Sequence, residues 1–370
     1  MKSIKELKNI KGKRVLLRVD YNVPLDGDRV EDDSRIKKSF PTINYLRKKG
    51  AKIIIISHAG RDPKNTLLPM AKVLNHSIPV KFVSKVLGRE VDEAIRKMKN
   101  GDVVMLENLR SRPGEKRNHS SFARGLSRHA EIYVNDAFPV SHRLSGSIVG
   151  LPKFLPSYAG LQMEAEIKEL SRALKPPHPF LVIFGGAKAE TKIPLIKRYL
   201  KDADNIFIGG ALANNFFRDA GFEVGKSVVD KDQKIPKTIL NHKKLILADT
   251  VAVRHGKKGI VNIKDVKPHE AILDIGVDSI AKLAPKINKA KLILWNGPMG
   301  WYENGYTEAT DALVKLLMKT KAKVIIGGGD TAVFVEKKKL AHHFTFVSSG
   351  GGATLEFLSK GTLPGIKALK

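Results

Sequence analysis

The apolar residues of the chain fall into short runs rich in Val, Ile and Leu, which alternate with segments whose apolar positions recur at helical spacing. Several runs are apolar throughout, which is typical of strands covered by helices on both faces. The predicted strands are residues 14–19, 51–57, 80–83, 102–106, 131–135, 180–184, 205–210, 244–248, 291–295, 322–328 and 343–348. Segments between them, such as TDALVKLLMKTKA, predict amphipathic helices. The alternation therefore predicts doubly wound, parallel α/β sheets.

One interruption of this alternation divides the chain. The segment LPKFLPSYAG carries prolines and a glycine, QMEAEIKELSRALK then predicts one amphipathic helix, and PPHP follows it. A chain of 370 residues also exceeds what a single core usually spans. We therefore predict an N-terminal domain (1–157), a connector helix (158–176), a C-terminal domain (177–350) and a final segment (351–370).

Composition narrows the classes of function that this fold could serve. The chain is 42% apolar, has no cysteine and contains no long uninterrupted apolar run. We therefore expect a globular protein without disulfides, thiolate metal sites or a membrane span, and the polar start MKSIKELKNIKGKRV speaks against a signal peptide. The net charge of +29 is compatible with a nucleic-acid partner, an anionic substrate or a solvated lysine-rich surface, and we favour the last.

The strand ends in the first half of the chain carry cationic and polar residues, and open α/β sheets bind ligands beyond the carboxyl ends of their strands. His58 follows the second predicted strand, and arginines recur at or near equivalent positions. Each residue alone is more typical of a turn, a structural histidine or a solvated side chain. Together they predict a site for one anionic ligand, because the guanidinium group matches carboxylate and phosphate oxygens. The arginines are Arg35, Arg61, Arg110 and Arg143.

The strand ends in the second half are instead followed by glycine clusters. Glycine lets a backbone approach a phosphate closely, and a helix N-terminus presents free N–H groups and a positive dipole end. Five such strand ends predict a nucleotide-binding domain. The clusters lie at residues 185–186, 209–210, 296–298, 327–329 and 350–352.

Two lysines follow the first of these glycine clusters. Lys188 and Lys192 stand four positions apart and share one face of a helix that begins near them. Such a pair is ordinarily an exposed helix edge, but its place after a strand and two glycines favours phosphate contact. The stretch is not the P-loop pattern G-x-x-x-x-G-K-[ST]. Asp330 follows another glycine cluster and is a natural Mg²⁺ ligand.

Taken in order, these blocks resemble the phosphoglycerate kinase family over nearly the whole chain. The matching motifs are RVDYNVP, SRIKKSFPTI, ISHAGR, LENLR, NDAF followed by HR, GGAKAETKI, LWNGPMGWYE, GGGDTA and SGGGATLE. The resemblance implies two Rossmann-like domains joined by a hinge helix, with the chain end returning to the N-terminal domain. It also implies an N-terminal site for 3-phosphoglycerate or 1,3-bisphosphoglycerate and a C-terminal site for MgADP or MgATP.

The resemblance assigns residues to both sites by matched motif. The phosphoglycerate residues would be Asp20, Tyr21, Asn22, Arg35, His58, Ala59, Gly60, Arg61, Arg110 and Arg143. The nucleotide residues would be Gly186, Lys188, Lys192, Gly210, Asn296, Pro298, Glu303, Gly328, Gly329, Asp330 and Thr331. Among them, Glu303 would hold the ribose and Asp330 the Mg²⁺ ion.

The implied reaction transfers a phosphoryl group between 1,3-bisphosphoglycerate and MgADP. In the ATP-consuming direction the acceptor is a carboxylate, which is ionised near pH 7 and needs no general base. Our hypothesis is that the domains close by hinge bending and that cationic and N–H groups then surround the transferred group. The catalytic residues would be Arg35, Lys188, Gly350 and Gly351, with Gly352 beside them.

Two other classes of function share parts of this pattern. A nucleic-acid-binding protein would account for the charge, but an aromatic content of 6% provides few stacking platforms. A dinucleotide-dependent oxidoreductase shares the α/β pattern, but no G-x-G-x-x-G follows a strand. We expect a cytoplasmic monomer that acts on small molecules and requires neither nucleic acid nor a membrane.

Overall fold

The computed structural model describes residues 1–255 and 257–369 and divides the chain into two compact units. The first unit comprises residues 1–168 together with the chain end from Thr362, and the second comprises residues 169–361. Within the described residues, no helix is long and apolar enough to cross a membrane.

The first unit is built around a sheet of six parallel strands. The strands of the whole unit are β1 (Arg14–Arg18), β2 (Leu25–Asp26), β3 (Arg29–Val30), β4 (Lys52–Ile56), β5 (Lys81–Val83), β6 (Val103–Leu106), β7 (Ile132–Asn135) and β8 (Ser157–Ala159). Its helices are α1 (Ser34–Lys38), α2 (Phe40–Lys48), α3 (Leu68–Asn75), α4 (Arg89–Arg96), α5 (Pro113–Lys116), α6 (Ser120–Ser127) and the start of α7 (Leu161–Ser171). The sheet order is β5-β6-β4-β1-β7-β8, and β2 pairs with β3 in a separate hairpin.

Strand β1 lies inside this sheet, between β4 and β7. Val15, Leu16 and Leu17 are fully buried, because helices cover both faces of the strand. The chain moves from β1 to β4 on one side and later returns to β7 on the other. The segments that follow β1 and β7 therefore diverge at a topological switch point, which is where open α/β sheets place their ligands.

The second unit repeats this plan and adds an antiparallel sheet. Its strands are β9 (Phe180–Phe184), β10 (Asn205–Ile208), β11 (Leu245–Leu247), β12 (Thr250–His255), β13 (Lys257–Asn262), β14 (Ala271–Ile275), β15 (Leu292–Asn296), β16 (Lys323–Gly327) and β17 (Phe346–Val347). Its helices are α8 (Ala189–Asp202), α9 (Gly210–Asp219), α10 (Lys237–Leu240), α11 (Val277–Ala281), α12 (Ala284–Lys289), α13 (Glu308–Lys319), α14 (Gly329–Lys337) and α15 (Gly352–Lys360). The parallel sheet has the order β11-β10-β9-β15-β16-β17, so its switch point lies between β9 and β15.

All eleven predicted strands are present, which confirms two doubly wound parallel sheets. Sequence reasoning missed β8, which is only three residues long and lies in the proline-rich segment interpreted as a break. It also missed the antiparallel sheet β13-β12-β14, because its strands are not the continuous apolar runs that mark buried parallel strands.

The predicted connector helix forms, but it ends at Ser171, before the prolines that were expected to stop it. Its N-terminus is held by Asp136, whose Oδ1 accepts a hydrogen bond of 3.1 Å from the N–H of Met163. Burial raises the pKa of Asp136 to about 6. The last helix, α16 (Pro364–Ala368), packs within the first unit, where the N–H of Gly365 donates to the carbonyl oxygen of Ser141 at 2.8 Å.

Candidate active site

At the switch point of the first unit, three segments meet around Asp20. Nη1 of Arg35 lies 2.6 Å from Oδ2 of Asp20 and 3.2 Å from the carbonyl oxygen of Asn22. The side-chain oxygen of Asn22 in turn accepts a hydrogen bond of 2.8 Å from the N–H of Gly60. Asp20 is buried, whereas the Arg35 side chain is 32% exposed, so its guanidinium group stays accessible to a ligand.

His58 lies behind these groups and is 2% exposed. Its Nδ1 is 3.2 Å from Nη2 of Arg18, whereas Oδ1 of Asp20 is 3.8 Å away, which is too far for a hydrogen bond. Burial lowers the pKa of His58 well below its usual range, and nearby positive charges add to the effect. These charges belong to Arg18, Arg110, Arg143 and Arg35. His58 is therefore neutral near pH 7.

A cationic cavity opens beside His58. It is lined by Arg18, His58, Arg110, Glu115, Lys116, Val140, Arg143, Leu144 and Ser145. Burial lowers the pKa of Arg110, and the neighbouring Arg143 and Arg18 lower it further. Burial likewise lowers the pKa of Arg143, against the attraction of Asp20. Positive charges held this close together favour a phosphate or carboxylate ligand.

The loop after β4 supplies the remaining predicted residues of the first unit. The N–H of Ala59 donates to Oδ1 of the buried Asn108 at 3.2 Å, and Nη1 of Arg110 donates to the carbonyl oxygen of Gly60. Arg61 is exposed on the same loop. Tyr21 differs from expectation, because its side chain is fully buried and its hydroxyl lies 2.8 Å from Oγ of Ser39. It thus has only backbone to offer a ligand.

Sequence reasoning missed four residues of this site: Arg18, Asn108, Glu115 and Lys116. Arg18 ends β1 and is 2% exposed, and a charge inside the apolar run RVLLRV was the available signal. Asn108 is fully buried and binds both Ala59 and the N–H of Arg110. Nothing local distinguished Glu115 or Lys116 from surface charges.

In the second unit, glycines bring three loops into backbone contact. The N–H of Gly186 donates to the carbonyl oxygen of Pro298 at 2.8 Å, and Gly297 has a φ of +100°. A Cβ on Gly297 would lie 2.3 Å from the carbonyl carbon of Gly185. A Cβ on Gly210 would lie 2.4 Å from the backbone nitrogen of Gly186. Larger residues would therefore separate the loops that follow β9, β10 and β15.

The two predicted lysines differ in environment. Lys188 is exposed at the N-terminal end of α8, whereas Lys192 is 6% exposed. Burial lowers the pKa of Lys192 to about 8, while Asp330 opposes the effect and Lys188 adds to it. An anion bound beside the buried Lys192 amine would favour its protonated, charged form, so this position suits an anionic ligand.

The second unit contains a largely apolar cavity beside these loops. It is lined by Gly186, Ala187, Gly210, Ala211, Val228, Ile272, Leu273, Asp274, Pro298, Gly300, Trp301, Glu303 and Asp330. Its combination of an apolar wall with a few polar and charged groups is typical of a site for a small organic ligand. Sequence reasoning missed Trp301, which lines the cavity although 49% of the side chain is exposed.

The remaining predicted residues are Asn296 and those around the start of α14. Nδ2 of Asn296 is buried and has no hydrogen-bond partner among the described residues. The Thr331 hydroxyl accepts a hydrogen bond of 2.7 Å from the N–H of Gly297, so its role within the protein is to hold that loop. Gly328 precedes α14, whose first turn carries Gly329 and the exposed Asp330.

The glycine loop before α15 bears on the predicted role of Gly350 as an N–H donor. The N–H of Gly350 already donates to Oγ of Ser348 at 3.1 Å. Gly351 has a φ of +52°, and α15 begins at Gly352. A Cβ on either Gly351 or Gly352 would meet open space. We therefore transfer the predicted donor role of Gly350 to Gly351 and Gly352.

A family model described as phosphoglycerate kinase matches residues 4–361. The chain belongs to the phosphoglycerate kinase family. The phosphoglycerate kinase of Dictyoglomus turgidum is 40% identical over 392 residues, which cover 100% of this chain and 99% of the relative. The phosphoglycerate kinase of Coprothermobacter proteolyticus is 39% identical over 388 residues, with 100% and 98% covered.

Solved phosphoglycerate kinase structures have the same fold. The enzyme from Pyrococcus horikoshii OT3 matches with a TM-score of 0.89 and 30% identity, covering 100% of this chain and 98% of that one. The enzyme from Coxiella burnetii matches with a TM-score of 0.85 and 31% identity, covering 99% and 98%. Family, relatives and fold thus agree on a phosphotransferase of glycolysis with phosphoglycerate kinase activity.

Proposed function

We propose that the first unit binds the phosphoglycerate and that the second binds the adenine nucleotide. The observation that carries this division is the contrast between two pockets. The cavity beside His58 is lined by arginines, whereas the cavity beside Gly186 is mainly apolar and walled by glycines. A small acid with a carboxylate and a phosphate suits the first, and a base and ribose followed by phosphates suit the second.

In the first unit, Arg110 and Arg143 would neutralise the phosphate of 3-phosphoglycerate, with His58 donating beside them. Arg35 would lie at the other end of the ligand, near the carboxyl group. The Arg35–Asp20 ion pair supports this role, because a guanidinium group fixed by a carboxylate needs little reorganisation when a substrate binds. Asn22 and Gly60 would support the loop, and Arg61 would lie at its rim.

In the second unit, the apolar wall at Ala211, Val228 and Leu273 would hold the base, and Glu303 would bind the ribose. The phosphates would lie toward the glycine loops and Lys192. Nδ2 of the buried Asn296, which has no partner in residues 1–255 and 257–369, supports this placement, because an unsatisfied buried donor is costly unless a ligand accepts from it.

Mg²⁺ is part of the proposal. Asp330 lines the cavity from the first turn of α14, and a single carboxylate suits an ion that keeps phosphate and water ligands. When bound, the ion would neutralise negative charge on the nucleotide phosphates. Asp330 would hold it, and the neighbouring Lys192 would neutralise phosphate charge directly.

The chemistry we propose needs alignment and charge neutralisation but no general base, since the acceptor carboxylate is already ionised near pH 7. Lys188, Arg35 and the N–H groups of Gly351 and Gly352 would act on the phosphoryl group in transfer. Direct transfer requires that the two ligands meet, so we propose that the units close by hinge bending when both substrates are bound. Small-angle scattering tests this, and no compaction with both ligands would contradict it.

We also propose that the enzyme is a cytoplasmic monomer.

A coupled assay of ADP formation from ATP and 3-phosphoglycerate tests the proposed function. Arg110→Ala should raise the KM for 3-phosphoglycerate at least about tenfold and leave the KM for ATP within about twofold, because it removes charge-assisted hydrogen bonds from one pocket. ADP formation that is independent of 3-phosphoglycerate, or equal changes in both KM values, would contradict the proposal.

A further inference from the structure

We propose that Glu115 and Ser147 are positioning residues that act through Arg18 to direct the Nε2–H group of His58 at the substrate. This inference rests on the proposed phosphoglycerate site, because it assigns a purpose to buried groups that line or support that site. The sequence did not predict that Glu115, Ser147 or Arg18 takes part in binding.

A continuous chain of hydrogen bonds joins these residues. Oγ of Ser147 donates to Oε1 of Glu115 at 2.7 Å and accepts from Nε of Arg18 at 3.0 Å. Nη2 of Arg18 lies 3.2 Å from Nδ1 of His58. Glu115, Arg18 and His58 are each at most 3% exposed, and Ser147 is fully buried. The chain is thus shielded from solvent over its whole length.

The chain fixes the direction of each hydrogen. A guanidinium group has donors only, so Nδ1 of His58 must be the acceptor from Arg18. A neutral imidazole that accepts at Nδ1 carries its hydrogen at Nε2. Nε2 is buried and has no hydrogen-bond partner within the described residues, and His58 lines the cationic cavity. The group left to serve a ligand is therefore a donor, as an anion requires.

Further contacts keep Arg18 in this orientation. Nη1 of Arg18 donates to the carbonyl oxygen of Val19 and lies 3.4 Å from Oγ of Ser57. The N–H of Ser147 also donates to Oε2 of Glu115 at 2.8 Å, and the Tyr133 hydroxyl donates to the carbonyl oxygen of Ser147 at 2.6 Å. The carboxylate of Glu115 lies behind Ser147 and offsets the buried charge of Arg18, which an isolated arginine could not sustain at this depth.

Ser147→Ala breaks the chain selectively. It removes the hydroxyl that links Glu115 to Arg18 but keeps the backbone bond from Ser147 to Glu115. Ser141→Ala is a matched control, because Ser141 is fully buried nearby and its hydroxyl donates to the carbonyl oxygen of Ala137 at 3.0 Å, outside the chain. Both variants lose one buried hydroxyl, so a general loss of stability would appear in both.

The direct test is the tautomer of His58 in the ligand-free enzyme. Two-bond ¹H–¹⁵N spectra distinguish protonated from bare ring nitrogens, and the signals of His58 are identified by their loss in His58→Gln. We expect one tautomer in the unmodified enzyme and in Ser141→Ala, with hydrogen on Nε2, and a mixture in Ser147→Ala. Hydrogen on Nδ1 in the unmodified enzyme overturns the inference, and this result requires no variant to fold. An unchanged spectrum in Ser147→Ala also overturns it.

Kinetics and titration separate this inference from the proposed function. Ser147→Ala should raise the KM for 3-phosphoglycerate by roughly 5- to 20-fold, with the KM for ATP and the kcat within about twofold. A shift in the His58 signals on addition of 3-phosphoglycerate supports the proposed site. The Nε2–H tautomer without such a shift would leave the hydrogen-bond chain intact but contradict the site. A shift of the His58 signals on addition of 3-phosphoglycerate, in a protein whose Nδ1 carries the hydrogen, would support the site but contradict the hydrogen-bond chain.

Discussion

Nη1 of Arg35 lies 2.6 Å from Oδ2 of Asp20, and this ion pair joins the first turn of α1 to the loop that follows β1. The carboxylate is 6% exposed and the guanidinium side chain 32% exposed. The buried partner therefore orients the accessible one. We infer that Arg35 acts as a prepositioned cation for the substrate.

Replacing Arg35 with alanine should lower kcat by roughly 100- to 1,000-fold, because it removes a positive charge that would stabilise the phosphoryl group during transfer. Steady-state kinetics with both substrates saturating measures the effect. Lys37→Ala is the control, since Lys37 is an exposed lysine on the same helix that pairs with Asp33 at 2.9 Å. Turnover by Arg35→Ala within a few-fold of normal would remove Arg35 from the mechanism.

Binding of ADP should take up protons near pH 8.5 through Lys192. Burial holds the pKa of Lys192 at about 8 in the free protein, so much of it is neutral at this pH. A bound phosphate favours the charged form, raises the pKa and draws a proton from the buffer. Calorimetry in two buffers of different ionisation enthalpy measures the uptake.

The same titration of Lys192→Met should show less proton uptake and weaker ADP binding. Lys197→Met provides the comparison, because Lys197 is an exposed lysine on the same helix. It should behave as the unmodified protein does. Equal uptake in Lys192→Met would show that another group is responsible.

Alanine at Gly297 should destabilise the second unit by at least about 2 kcal/mol more than alanine at Gly305. Both glycines have positive φ, of +100° and +80° respectively. A Cβ at Gly297 would also meet the backbone of Gly185 at 2.3 Å, whereas at Gly305 it would meet open space. Denaturant unfolding compares the variants, and equal losses would mean that backbone strain alone sets the effect.

Leucine at Asn296 should leave the ligand-free protein at least as stable as before, while ADP affinity falls by roughly 10- to 100-fold. The amide nitrogen of Asn296 is buried and has no hydrogen-bond partner in the part of the chain that the structure describes, so its removal relieves an unsatisfied donor. Thermal unfolding with and without ADP measures both effects. Asn215→Leu should instead destabilise the free protein, because Oδ1 of Asn215 accepts from the N–H of Asp230 at 2.8 Å.

Much of the fold was predictable because buried parallel strands appear as continuous apolar runs between helices. β4 illustrates this, with four consecutive isoleucines fully buried. The antiparallel strands were missed because their alternation is short and interrupted by polar residues. The pairing register of the strands and the direction of individual side chains could not be predicted from the sequence either. Tyr21 follows Asp20 directly, yet its ring lies in the core.

The candidate site was predictable where residues follow strands, since the sheet itself brings strand ends together. His58 and Arg110 belong to this class. Glu115 and Ser147 do not, because their relation to Arg18 arises from packing between segments about 100 or more positions apart. No local pattern distinguishes a buried glutamate of this kind from a solvated one.

The central claim is that each unit binds one substrate, and hydrogen exchange measured by mass spectrometry tests it most directly. We predict that 3-phosphoglycerate alone protects peptides covering residues 18–22, 57–61 and 107–111. ADP with Mg²⁺ alone should protect peptides covering residues 184–192, 296–303 and 327–331. Protection of the second set by 3-phosphoglycerate, or of the first set by ADP, would contradict the account.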